Sequence, residues 1–194
     1  MNRRDFIRTL GAGFILLFTG FRFLGRNKKN IIRPPGSIEE GDFNYKCVRC
    51  GNCILTCPAK CLKPVTFDKG IIEWGTPHIL PRQAGCIMCL SCFKVCRPSS
   101  SIIKIPANMV KIGTAEINKT RCLVWLYQKD CLVCLEYCPV GAICRDKKGR
   151  PFVDERVCIG CGLCEQNCPV EGISAIRVSN KGERRYHLRE RKYE

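Results

Sequence analysis

Cysteine spacing carries the chemistry that is legible in this chain. Cys47, Cys50, Cys53 and Cys57 form a C-x2-C-x2-C-x3-C run with Pro58 behind it. Cys86, Cys89, Cys92 and Cys96 repeat the run, with Arg97 standing before Pro98. Cys158, Cys161, Cys164 and Cys168 repeat it again, followed by Pro169. This is the ligand spacing of bacterial 4Fe–4S proteins. Three thiolates at two-residue intervals wrap one short loop around a cubane, and glycines such as Gly51, Gly160 and Gly162 ease that loop by tolerating unusual backbone angles. The fourth cysteine is expected to start a short helix pointing away, and so to ligate the neighbouring cluster. The proline that follows has no N–H and a fixed φ, so the chain is redirected there. Zinc ribbons use paired C-x2-C rather than triple runs, and no C-x2-C-H for haem attachment is present.

A fourth group is irregular. Cys131, Cys134 and Cys138, with Pro139 behind, fill the second, third and fourth roles, but the first falls on Gln128. The nearest upstream thiol is Cys122. Residues 123–128, Leu-Val-Trp-Leu-Tyr-Gln, read as an insertion that loops out and leaves Cys122 to complete the set. The alternative is a three-cysteine site holding a 3Fe–4S cluster, with Cys122 merely buried. Cys61 and Cys144 remain; each lies shortly after a Cys-Pro and reads as a small buried hydrophobe near a cluster, with a mutual disulfide or a spare ligand as the other options.

These ligands need short elements to place them. After Cys138-Pro139 an apolar run reaches Ile143, a turn falls at 147–150, and Pro151-Phe152-Val153 reads as a strand leading to Cys158: a hairpin between two cluster loops. The longer gap from Cys57 to Cys86 holds Gly-Ile-Ile-Glu-Trp-Gly-Thr-Pro-His-Ile-Leu as its strand segment. The expected fold class is α+β: two ferredoxin-like 2[4Fe–4S] modules of short hairpins and short helices, preceded by an N-terminal signal or anchor helix. The expected division is a signal or anchor at 1–29, a linker at 30–46, modules at 47–110 and 111–178, and a basic tail at 179–194. Tandem pairing with exchange of the fourth cysteine gives four ligand sets. They are Cys47, Cys50, Cys53 with Cys96; Cys86, Cys89, Cys92 with Cys57; Cys122, Cys131, Cys134 with Cys168; and Cys158, Cys161, Cys164 with Cys138. Nested pairing, first motif with fourth and second with third, uses the same sixteen thiolates.

Eighteen of 194 residues are cysteine, far above ordinary usage, and no long apolar run supplies a large core. Bunched cysteines mean metal rather than the scattered framework of a disulfide-rich secreted binding protein. The formal charge is +16. Four clusters at about −2 each would roughly halve it. Nucleic-acid binding therefore loses its appeal, and an acidic partner or anionic membrane surface remains. Asn2-Arg3-Arg4-Asp5-Phe6-Ile7-Arg8 matches the twin-arginine export pattern, and an apolar stretch from Leu10 to Phe21 suits a signal core. That route moves folded proteins, as a cluster protein requires. With no small-residue cleavage site after it, residues 10–24 also suit a retained membrane anchor. His78 and His187 are far apart in sequence and read as structural or exposed. No nucleophile triad, phosphate loop or dinucleotide fingerprint appears, so no catalytic residues are expected and the chemistry is one-electron relay.

The Arg-Arg-x-Phe start, Arg33-Pro34-Pro35-Gly36 before the first motif, Gly75-Thr76-Pro77 before the second and the expanded third motif resemble the NapG/MauM ferredoxin-type proteins of periplasmic nitrate reductase and methylamine-utilisation systems. The resemblance covers most of the chain from Asn2 to about Tyr186. It implies an exported, periplasmic carrier of four 4Fe–4S clusters. Its donor would be a membrane ferredoxin or quinol dehydrogenase of NapH type, and its acceptor a periplasmic reductase or cytochrome. The alternative is a permanent iron–sulfur subunit of a larger membrane-bound oxidoreductase complex. Two features depart from the pattern: the second motif is regular where nitrate-reductase members often widen it, and Arg97 separates Cys96 from Pro98.

Overall fold

The computed structural model describes residues 30–96 and 101–187. The signal and anchor readings at 1–29 and the end of the basic tail lie outside the described residues. Among the described residues six short α-helices and six short strands follow in order: α1 (Glu40–Lys46), α2 (Asn52–Thr56), β1 (Leu62–Pro64), β2 (Pro77–Ile79), α3 (Ser91–Val95), β3 (Thr114–Ile117), α4 (Leu123–Tyr127), α5 (Val133–Glu136), β4 (Ile143–Arg145), β5 (Pro151–Val153), α6 (Leu163–Gln166) and β6 (Ile176–Ser179). Among the described residues no helix is long and apolar enough to cross a membrane.

Helices of four or five residues do not persist alone. Each of α2, α3, α5 and α6 carries the third cysteine of a motif at its second position, and Cys53, Cys92 and Cys164 are buried there. Each stops one or two residues before the fourth cysteine, which therefore follows a helix instead of starting one; in three of the four a proline comes next, which disfavours helical backbone at the cysteine. The strands form three antiparallel pairs, β1 with β2, β4 with β5 and β3 with β6. The β4–β5 hairpin is the one expected between Cys138 and Cys158. Asp146 closes its turn by accepting the N–H groups of Lys148 and Arg150. Strand β3, which precedes the third motif, pairs instead with β6, which follows the fourth. One apolar core, with Ile38, Phe43, Ile79, Ile112 and Ile176 among its members, runs through the described residues and takes in buried cysteines of the motifs.

The stretch at 30–46 is more than a connector. Ile31, Ile32, Ser37 and Ile38 are buried, Ile32 bridges Ile79 of β2, and residues from Glu40 form α1. The reason is Arg33, whose side chain has no exposed surface. Its guanidinium grips the Glu40 carboxylate, Thr76 Oγ1 at 2.7 Å, the Pro77 carbonyl at 2.9 Å and Asn44 Oδ1 at 2.9 Å, and it lies 4.6 Å from the centre of the Phe43 ring. The start of the tail is also drawn in: Tyr186 is buried, bridges Ile38, and donates its hydroxyl to the Met109 carbonyl at 2.8 Å.

His78 in β2 is structural, as its isolation in the sequence suggested. It is buried, with Nδ1 3.1 Å from the Lys63 carbonyl and Nε2 3.3 Å from Lys69 Nζ. An ammonium only donates, so Nε2 accepts and Nδ1 carries the hydrogen. Burial, then the Lys69 charge, push the imidazole down to about 4. The unfolded chain takes up this proton at a higher pH, near 6.5. The neutral form's stability is therefore whole above about pH 6.5 and falls as pH drops toward 4. Thermal unfolding at pH 7.5 and 5.5 should show a loss of about 1 kcal/mol from this group. His78→Asn, which retains a donor toward Lys63, should remove that part of the difference.

Candidate cluster sites

In the first, second and fourth motifs the cysteine loop takes one backbone form. The residue before the second cysteine and the residue after it are both left-handed: Arg49 and Gly51, Met88 and Leu90, Gly160 and Gly162. Glycine eases this in the fourth motif and half of the first. Met88 and Leu90 adopt it with full side chains, which nothing in their sequence announces. The loops also pack backbone to backbone. A Cβ on Gly162 would stand 2.6 Å from Pro81 Cβ, and one on Gly85 would stand 2.6 Å from the Leu163 amide nitrogen.

Three cavities gather sulfurs. One is lined by Cys47, Cys50, Cys53 and Cys96. A second is lined by Cys122, Cys131, Cys134 and Cys168. A third is lined by Cys138, Cys158, Cys161 and Cys164. In each, three cysteines come from one motif and one from the motif paired with it in tandem. Around the second motif, Cys92 lies within electrostatic reach of Cys86, Cys89 and Cys53. Cys57 lies beside Cys61, their sulfurs 3.5 Å apart, and Cys86 acts electrostatically on Cys61 in turn.

The insertion in the third motif is not a loose loop. It forms α4, which starts directly after Cys122. Trp125 pins it: its indole N–H donates to the Pro151 carbonyl at 3.0 Å, with Lys119 and Arg150 4.5 and 4.0 Å from the ring centre. Gln128 is exposed, takes φ +52°, and ends the helix.

None of the eighteen cysteines, all among the described residues, is in a disulfide. Among the described residues no group of three or more His, Cys, Asp or Glu side chains converges tightly enough for a single metal ion. The sulfurs stand around a space rather than a point. Electrically they suit a polynuclear centre. Burial, then mutual repulsion between thiolates, pushes Cys53 and Cys134 up to about 12, and Cys92 and Cys164 upward as well. Burial likewise lifts Cys161 to about 11. Four thiolates crowded in an apolar cavity are unfavourable alone; a core of iron cations supplies the missing positive charge. The interaction between Cys61 and Cys86, with burial, pushes the Cys61 thiol well up, and the same interaction draws Cys86 down against burial. Backbone amides also reach sulfur: Met88 to Cys86 at 3.4 Å, Ala115 to Cys158 at 3.4 Å, and Ala142 to Cys138 at 3.2 Å. Such bonds are among the protein's means of setting cluster potentials.

The sites touch in series. Cys53 and Cys92 approach where α2 packs on α3, and Cys134 and Cys164 where α5 packs on α6. Between these pairs the Cys86 amide donates to the Cys161 carbonyl at 2.6 Å. Arg82 ties the same junction by donating to the carbonyls of Glu165, Cys168 and Val170. Neither Arg82 nor the Arg33 cluster was found from the sequence; both bind partners remote in the chain.

Sulfur-lined cavities on short hairpins and helices define a ferredoxin-type iron–sulfur protein, an electron carrier rather than an enzyme. A 4Fe-4S binding domain family matches residues 151–174, across the fourth motif. The ferredoxin-type protein NapG of Escherichia coli (strain K12) is 35% identical, over 96% of this chain and 89% of its own length. The methylamine utilization ferredoxin-type protein MauM of Paracoccus denitrificans (strain Pd 1222) is 34% identical over 76% of this chain and 70% of its own. That of Methylophilus methylotrophus is 29% identical over 90% and 83%. The chain belongs to the NapG/MauM family of ferredoxin-type proteins.

Proposed function

We propose that this chain is an exported carrier of four 4Fe–4S clusters. It would take electrons from a membrane quinol-oxidising partner of NapH type and deliver them to a periplasmic reductase or cytochrome. The sixteen thiolates of the four motifs hold the clusters in tandem pairs, Cys122 among them. When bound, each cluster supplies a one-electron couple; the chain's part is to hold the sulfurs, exclude water and place hydrogen bonds and charge around them. One observation carries the reading: sulfurs from paired motifs line shared cavities, and the pairs meet where the Cys86 N–H donates to the Cys161 carbonyl. That gives a continuous order, first site, second, fourth, third, for charge to follow. Cys50 and Cys89 are exposed, so the first and second sites reach the surface where a partner docks. Export as a folded protein follows from the twin arginines at Arg3 and Arg4.

Protein isolated without oxygen should carry about sixteen irons and as many acid-labile sulfides per chain. Its reduced form should show magnetically interacting clusters, and it should be reoxidised by the periplasmic acceptor. A far lower iron content, or cysteines recovered as disulfides, would overturn the proposal.

A further inference from the structure

We propose that Cys61 is a working part of the second cluster site: its buried thiol donates a hydrogen bond to the sulfur of Cys57 and raises that cluster's reduction potential. This rests on the reading above that Cys57, Cys86, Cys89 and Cys92 hold a cluster. The Cys61 and Cys57 sulfurs are 3.5 Å apart, a hydrogen-bonding separation far beyond the ~2.05 Å of a disulfide. The side chain is 3% exposed. Its backbone is fixed on both sides. Lys60, with φ +52°, donates to the Cys57 carbonyl at 3.0 Å, and the Cys61 carbonyl accepts Leu80 N–H at 3.3 Å as the chain enters β1.

The third motif offers an internal comparison. Four residues after its last cysteine stands Ala142, whose amide donates to Cys138 Sγ at 3.2 Å. At the matching place after Cys57 stands Cys61, and the sulfur is met by a thiol. Cys144, the other cysteine outside the motifs, is exposed, and its thiol points to the Gly141 carbonyl at 3.9 Å. Packing alone asks only for a small apolar group at position 61. A thiol against a metal-binding sulfur adds a donor where the acceptor carries negative charge, which strengthens an otherwise weak bond. One-electron reduction adds negative charge to that sulfur, so the donor favours the reduced state; the Cys61 proton stays on its own sulfur.

The test uses the full chain, loaded without oxygen and titrated with dithionite while each cluster is followed by electron paramagnetic resonance. Cys61→Ala should keep the wild-type iron content and move the midpoint of one cluster downward, leaving the other three in place. Cys61→Ser, whose hydroxyl still donates, should return that midpoint toward the wild-type value. If the alanine variant does not fold, Cys61→Val fills nearly the same volume without a donor and should show the same single shift. Four unmoved potentials would overturn the proposal and leave Cys61 a space-filling residue. Loss of one cluster's iron in Cys61→Ala would overturn it in favour of Cys61 as a ligand. The wild-type iron count, read first, tests the four-cluster reading separately.

Discussion

Replacement of Cys122 by alanine should remove the four-iron character of one site and leave the other three intact. Iron should fall from about sixteen per chain to about twelve if the cluster is lost, or to about fifteen if it survives with three irons. Electron paramagnetic resonance separates the two, because a three-iron cluster gives its signal in the oxidised state. The expectation follows from the cavity that Cys122 shares with Cys131, Cys134 and Cys168. Among the charges that push the Cys134 thiol up, burial apart, Cys122 is the largest. The competing ligand position is elsewhere: Gln128 is exposed at the far end of α4. Gln128→Ala should leave iron content and spectra unchanged. The loss should reach stability too, since a cluster formed only in the folded chain contributes its binding free energy to folding. Cys122→Ala with the wild-type iron content and four unaltered signals would show that Cys122 is not a ligand of this site.

What the sequence made legible here was local. Cysteine spacing places three thiolates on one loop whatever the rest of the chain does, so the cluster chemistry and the carrier class could be read from residues alone. The β4–β5 hairpin was legible for the same reason: a polar turn at 147–150 separates two short apolar runs within a dozen residues. Glycine marked the left-handed positions at 51, 160 and 162, but Met88 and Leu90 adopt the same angles because the loop must wrap, and their side chains do not encode that. Residues 123–128 interrupt a spacing, which in sequence suggests a loop. Leu123–Tyr127 are helical because Trp125 finds Pro151 and Arg150 across the fold, contacts with no short-range signature. The β3–β6 pairing likewise joins segments about sixty residues apart. Arg33 was the largest omission. Arg-Pro-Pro-Gly looks like a connector, and the partners that make it a core residue are spread from Glu40 to Pro77.

Arg33→Met should therefore unfold the region around the first site at markedly lower temperature or denaturant, by about 3 kcal/mol. Removing one member of a buried, hydrogen-bonded charge pair costs about 3–5 kcal/mol. The lower end applies because the Glu40 side chain, at 40% exposure, recovers some hydration. Burial raises the Glu40 carboxyl; the hydrogen bonds and charge of Arg33, with help from Arg185 and Asn44, outweigh it and hold the group below its usual value. Without Arg33 that balance reverses, and Thr76, Asn44 and the Pro77 carbonyl each lose a donor. Arg33→Lys keeps the charge but not the planar fork, so it should recover only part of the loss. Arg33→Met combined with Glu40→Gln should be less damaging than the two single losses added together, because the unpaired carboxylate is gone. The effect should also be local. Phe43 and Pro77, both against Arg33, line the cavity of Cys47, Cys50, Cys53 and Cys96. On mild warming, iron should leave this site first, and iron released evenly from all sites would show that Arg33 supports the fold as a whole rather than this wall of it.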